Sequence, residues 1–400
     1  MSTGYTPPPA PQTFASPLAQ PSLAPPAPVV PAVVSPPVLP VPVRTGRTAP
    51  IWLFGVLAFV LIALVGYFLT AIGPFASAVG AVLALLPLAG VVIAVRIVDR
   101  WEPEPRGLLV FAAAWGAIAA VGIALGVDLL LSPLTRGLDA ATYDIFSSVV
   151  QAPIVEEFAK GLGVLLIFLT ARRAFDGPVD GVVYGALVGA GFAFTENIQY
   201  FAISLIEGGF GDVTATFFVR GILSPFAHVM FTSITGFALG LAARRGATAG
   251  QALGPWVLGM LGATALHAFW NGSAVFTSFF PLYITVQVPL FVLFILGIVM
   301  LRREEARLTR SRLGEYAAAG WFTPQEVDML ATAAGRKAAL AWAGTLRGDR
   351  RPIMTGFIHD ATALAMARQR ALTGRDPHAA ADQRALLERT TAARAALFAP

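Results

Sequence analysis

Eight long apolar runs fill the middle of the chain, near 51–72, 76–98, 107–131, 147–170, 180–206, 217–242, 252–279 and 281–301. Each comes close to the ~20 residues a helix needs to cross ~30 Å of hydrocarbon. The pattern predicts an all-α polytopic integral membrane protein with about eight transmembrane helices. Inside several runs, small residues recur at every fourth position. Gly181, Gly185, Gly189, Ala193 and Asn197 form one ridge; Gly259, Ala263, His267 and Asn271 form a second. His228, Thr232, Gly236 and Gly240 form a third, and Glu157 shares a ridge with Gly161. Such ridges let membrane helices approach closely. Polar side chains lie on these same faces, so they should converge.

The flanks differ sharply from the middle. Residues 1–50 hold 15 of the 30 prolines, and their only charged side chains are Arg44 and Arg47. Proline lacks the amide and clashes with the preceding turn, so this segment reads as a disordered, partly polyproline-II arm. It does not read as a signal peptide, since no basic stretch precedes an apolar core. Residues 51–301 are then the membrane domain, and 302–400 a cytoplasmic helical tail. In the tail, Thr323-Pro324-Gln325-Glu326 predicts a helix start, with threonine capping, proline at the first position and Glu326 reaching back. Asp376-Pro377 predicts another. Arginines between the runs set the expected topology. Arg96, Arg100, Arg106, Arg172, Arg173, Arg244, Arg245, Arg302 and Arg303 fall on one side, whereas the other side has only Arg136 and Arg220. That asymmetry predicts both termini in the cytoplasm.

Composition sharpens this picture. The chain is 56% hydrophobic and 13% charged, with mean hydropathy +0.70, against roughly 25% charged residues in soluble proteins. The absence of cysteine excludes disulfides, thiolate metal sites and cysteine nucleophiles. The formal net charge of +5 resides in the tail. A basic tail on a membrane protein marks the cytoplasmic side, and it predicts a lipid bilayer and no nucleic acid as partner.

Few residues inside the runs can do acid, base or ligand chemistry. Glu156, Glu157 and Lys160 lie on the fourth run, Glu196 and Asn197 on the fifth, His228 on the sixth, and His267 and Asn271 on the seventh. A charge at mid-membrane costs roughly 2.5–3.5 kcal/mol on insertion scales and normally faces a bundle interior or a wet cavity. With the topology above, Glu156, Glu196, His228 and His267 each lie roughly 14–18 Å below the outer surface. Four segments thus deliver polar groups to one plane. Taken singly, Glu156–Lys160 reads as an i,i+4 ion pair, either histidine as a hydrogen-bonded core residue, Asn197 as helix glue and Lys160 as structural. The shared depth argues for a site instead.

These residues resemble a known family. Glu156-Glu157-Phe158-Ala159-Lys160 reads E-E-x-x-K, Phe192 to Asn197 reads F-x-x-x-E-N, His228 follows, and His267 to Asn271 reads H-x-x-x-N. In order and placement they resemble the PrsW family of intramembrane proteases, distant relatives of the CAAX-processing (Abi) peptidases. The resemblance covers about 90–300, with DRWEPEP and LGEYAAAGWFTPQEVDML also similar to its bacterial members. It implies hydrolysis of peptide bonds in membrane-anchored, anti-sigma-factor-like protein substrates within a bacterial cytoplasmic membrane. It further implies Glu156, Glu157, Glu196, His228, His267 and Asn271 as the functional set.

The residues suit that chemistry. Hydrolysis needs water, a base to activate it and donors for the oxyanion. The resemblance to CAAX peptidases favours Glu156 as base, while its i+4 partner Lys160 keeps Glu157 in contention; Asn271 would donate to the oxyanion. His228 and His267 with a glutamate, Glu196 being one choice, would make a His₂Glu zinc site with an open position. No H-E-x-x-H helix is present. The residues therefore leave a metal-free glutamate mechanism and a zinc mechanism both open. Buried Glu/His groups also serve proton-coupled transporters, and a non-catalytic membrane scaffold is a further reading.

Overall fold

The computed structural model describes residues 51–276 and 279–399; the proline arm lies outside them. Among the described residues every regular element is helical. The helices are α1 Ile51–Tyr67, α2 Pro74–Val98, α3 Arg106–Ala114, α4 Val121–Thr135, α5 Ala140–Ile145, α6 Ala152–Thr170, α7 Pro178–Phe217, α8 Ala227–Arg244, α9 Ala249–Phe276, α10 Phe279–Leu282 and α11 Val288–Ala318, followed by α12 Pro324–Leu330, α13 Ala333–Thr345, α14 Arg351–Thr373 and α15 Ala379–Leu397. Single π-helical turns occur at Phe68–Ile72, Trp115–Ala120, Phe146–Gln151, Phe218–Leu223 and Tyr283–Gln287.

Among the described residues six helical stretches are long and apolar enough to cross a membrane: Phe54–Ile72, Pro74–Val98, Arg106–Thr135, Pro178–Arg244, Ala249–Val275 and Phe280–Ala318. The chain is thus an all-α polytopic membrane protein. The difference from eight apolar runs has a physical origin. Pro178–Arg244 takes in two of the runs, interrupted by Gly209 at φ 68° and by the non-helical Ser224. The run at 147–170 drops out because Glu156, Glu157 and Lys160 crowd three charges into little more than one turn.

The described chain divides into two compact units. One holds the membrane helices as far as Glu305, together with Gln369–Pro377; the other comprises Ala306–Arg368 and the residues from His378 onward. In the second unit Thr323 caps α12 as expected, its Oγ1 accepting from the Glu326 amide at 3.1 Å while Glu326 Oε2 accepts from the Thr323 amide at 2.7 Å. Leu313, Tyr316, Phe322, Leu330, Phe357 and Leu364 form its core. A helix does start after Asp376-Pro377, but the cap is His378, not Asp376. α15 starts at Ala379, and the Asp376 carboxylate instead stands 3.6 Å from the Nε atoms of Arg173 and Arg370.

In the first unit α7 packs against α2, α3, α6 and α8. The small-residue ridges explain how. A Cβ added to Gly181 would lie 2.0 Å from the Gly236 carbonyl oxygen, and one on Gly189 would lie 2.3 Å from that of His228. On the other side a Cβ on Gly191 would meet the Ala113 carbonyl at 2.0 Å. Backbone therefore touches backbone along α7, which places the first turn of α8, and His228 with it, against the middle of α7. Below that crossing, the DRWEPEP segment is pinned to α7. Glu104 accepts from the Tyr184 hydroxyl at 2.5 Å, and its own amide donates to Asp99 Oδ1 at 3.1 Å.

Gly189→Ala should destabilise the protein by about 1–3 kcal/mol through overpacking, whereas Gly90→Ala, whose new Cβ meets nothing within 4 Å, should leave the thermal midpoint in detergent unchanged. Burial pushes the Asp99 carboxyl up to about 6, against the opposing pull of the Glu104 amide and Arg302. A carboxyl raised on folding binds its proton more tightly in the folded state, so its stabilising contribution is complete below about 4 and is lost as pH rises to about 6. Asp99→Asn should flatten the fall in thermal midpoint across that window.

Candidate active site

Four helices deliver the ionisable groups to one place. On α6, Glu156, Glu157 and Lys160 share one face of successive turns. The Lys160 ammonium is fully buried; it lies 2.6 Å from Glu157 Oε1, 3.5 Å from Glu156 Oε2 and 3.1 Å from His228 Nδ1. It also sits 4.2 Å from the centre of the Phe192 ring on α7. Its nearest carboxylate is thus the i+3 partner, and the expected i+4 pair is the looser of the two.

Glu157 is surrounded. Besides Lys160, it accepts from Thr232 Oγ1 at 3.1 Å and pairs with His267 Nδ1 at 3.0 Å, with no side-chain surface exposed. Glu156 differs: its side chain retains 11% exposure, and Oε2 stands 3.9 Å from His267 Nε2. Glu196 on α7 takes His228 Nε2 at 2.8 Å and Arg220 Nη2 at 2.5 Å on the same oxygen. The two imidazoles meet almost perpendicularly with ring centres 4.9 Å apart, and Phe231 stacks on His267 at 4.9 Å.

The bonding assigns the tautomers. An ammonium only donates, so His228 Nδ1 accepts from Lys160 and Nε2–H donates to Glu196. His267 donates Nδ1–H to Glu157, which leaves the Nε2 lone pair facing Glu156. Each histidine is therefore held by its own carboxylate, the arrangement that orients imidazole ligands and bases. Three carboxylates face one ammonium and one guanidinium, leaving a single negative charge without a fixed cationic partner.

Two cavities open onto these groups. One, of about 390 Å³, is lined by Glu156, Phe192, Gln151, Asp128 and the shared residues Ser148, Glu196 and Tyr200. The other, of about 230 Å³, reaches His228, Asn271, Arg220 and Trp270 past the same shared residues. Asn271 donates to the Ser148 carbonyl at 2.9 Å, tying α9 to the π-helical turn Phe146–Gln151. Asn197 accepts from Arg220 Nε at 2.9 Å.

Glu156, His228 and His267 can each offer a ligand atom with all three within 4.8 Å of one another. This donor set, two imidazoles and a carboxylate beside a cavity, fits zinc. It differs from the grouping of His228, His267 and Glu196 expected from sequence, because Glu196 stands behind His228 and is taken up by Arg220. Sequence reasoning also assigned Arg220 to a connecting loop. Its signal was present in retrospect: an arginine at the head of the sixth apolar run, eight residues before His228 and without a local acidic partner. What periodicity does not reveal is the π-helical turn Phe218–Leu223 that turns it inward.

Residues 104–298 match the family described as PrsW family intramembrane metalloprotease. Curated proteins named Protease PrsW are similar to this chain. That of Geobacillus kaustophilus is 30% identical over 144 residues, 36% of this chain and 58% of the relative. That of Bacillus subtilis is 32% identical over 144 residues, 36% of this chain and 60% of the relative. That of Clostridioides difficile is 29% identical over 155 residues, 39% of this chain and 62% of the relative. The matches span about three-fifths of the length of these relatives. No solved structure matches. Glu156, Glu157, Lys160, Glu196, Arg220, His228 and His267 all fall inside the matched segment, and it is through residues 104–298 that this chain is similar to the PrsW family.

Proposed function

We propose that this protein is an intramembrane endopeptidase of a bacterial cytoplasmic membrane, cleaving membrane-anchored protein substrates with water activated at Glu156. One observation carries the choice of base: Glu156 is open to the larger cavity and faces a free imidazole nitrogen, whereas Glu157 is saturated by three donors. The names of the relatives favour this reading over a proton-coupled carrier.

The residues then divide the labour. Glu156 takes a proton from water as the oxygen attacks the carbonyl carbon, and returns it to the amide nitrogen as the C–N bond breaks, giving a carboxylate and an amine. Glu157 holds the His267 ring so that its one free lone pair, on Nε2, is open to that water or, when zinc is bound, to the metal. The second amide hydrogen of Asn271, which lines the smaller cavity, meets the negative charge on the tetrahedral oxygen. Glu156, His228 and His267 would hold a zinc ion, which supplies Lewis-acid polarisation when bound. Zinc would have to displace the Lys160 ammonium from His228 Nδ1, so metal loading and the lysine compete for one lone pair.

Purified protein in detergent should cleave a single-pass apolar helix. Glu156→Gln should lower the rate by about 10²–10⁴, the range for loss of a general base, and His267→Ala should also inactivate; survival of activity in both variants would sink the protease reading. A strong chelator should abolish cleavage and added zinc should restore it. Glu157→Ala leaves a buried ammonium without its closest partner and should cost about 3–5 kcal/mol in stability. Adding Lys160→Met should recover most of that loss in a thermal melt.

A further inference from the structure

Arg220 does more than neutralise a carboxylate. The π-helical turn Phe218–Leu223 ends where the Ser224 amide and hydroxyl both donate to the Val219 carbonyl, at 3.0 and 2.7 Å, and His228 follows in the first turn of α8. From this turn the guanidinium reaches three side chains of one α7 face. It donates to Glu196 Oε2 at 2.5 Å and to Asn197 Oδ1 at 2.9 Å, and it lies 3.8 Å from the centre of the Tyr200 ring. A planar guanidinium can make two in-plane hydrogen bonds and stack on a ring at once; an ammonium cannot.

The consequences run in two directions. Glu196 Oε2 is the atom that also accepts from His228 Nε2, so Arg220 holds in place the carboxylate that, together with the Lys160 ammonium on Nδ1, decides which His228 nitrogen carries the proton. Tyr200 lines both cavities, so the stack holds the wall they share. We propose that Arg220 is a positioning residue: through Glu196 it fixes the His228 tautomer, and through Tyr200 it fixes the wall between the two cavities that receive the peptide. The second half rests on the protease reading above; the first does not.

The test uses the full chain in detergent with a fluorophore–quencher-labelled apolar transmembrane peptide that the wild type cleaves. Arg220→Gln should lower kcat by about 10–100-fold, as loss of an outer partner of a functional histidine does, and raise KM. Tyr200→Leu should raise KM with little change in kcat. Arg220→Lys keeps the charge without the fork and should recover only part of kcat. In kcat, combining Arg220→Gln with Glu196→Gln should be no worse than Glu196→Gln alone. Wild-type kcat in Arg220→Gln, or kcat losses that multiply in the double variant, would overturn the proposal. Nitrogen-15 NMR of labelled histidine reads the tautomer without any cleavage, with the His228 signal identified by its loss in His228→Asn. The Nε2-protonated form should dominate in wild type and give way to a mixture in Arg220→Gln. An unchanged His228 signal overturns the tautomer role, even if no peptide is cut and the protease reading has failed.

Discussion

The structure turns on one buried cation. Lys160 is a fully buried ammonium, and an ion in such a place persists only with close, well-directed partners. Glu157 provides the tightest contact at 2.6 Å, and His228 and Glu156 complete the shell. That requirement ties α6 to α8 directly. It ties α6 to α9 as well, because Glu157 also engages His267. Burying Lys160 therefore assembles the groups around it, and it leaves Glu156 as the α6 carboxylate with room beside it.

Close backbone approach makes the assembly possible. Hydrogen bonds among short polar side chains on different helices need the helices to be nearer than bulky residues allow. The Gly181–Gly236 and Gly189–His228 contacts remove side-chain volume along the α7–α8 seam. Membrane helices gain little from excluding water from one another, so such packing contributes much of their association. The same seam carries Thr232, whose hydroxyl donates to Glu157. Packing and polar chemistry are thus the same surface seen at different depths.

Much of this was legible in the amino-acid sequence. Apolar runs of crossing length identified the class, and four-residue spacing of small residues identified the faces that touch, because both follow from helix geometry alone. Convergence of Glu156, Glu157, Glu196, His228 and His267 followed from shared depth. Partner choice did not follow. Lys160 prefers Glu157 over Glu156, and Glu196 pairs with Arg220 and with His228 but not with His267, because rotamers and neighbouring helices decide such pairings. The π-helical turns at Phe146–Gln151 and Phe218–Leu223 break the 3.6-residue period from which sequence patterns are read. Ser148 and Arg220 stood on those turns and so were misplaced or missed.

The division of roles between adjacent glutamates is the centre of the mechanism, and a bound hydrate of a carbonyl would display it. The direct measurement is an experimental structure of the full chain with a peptidyl trifluoromethyl ketone, whose hydrate mimics the tetrahedral intermediate. We predict a hydrate oxygen within hydrogen-bonding distance of Glu156, with Glu157 still engaged by Lys160, Thr232 and His267. A hydrate bound to Glu157, with Glu156 turned away from it, would contradict the assignment.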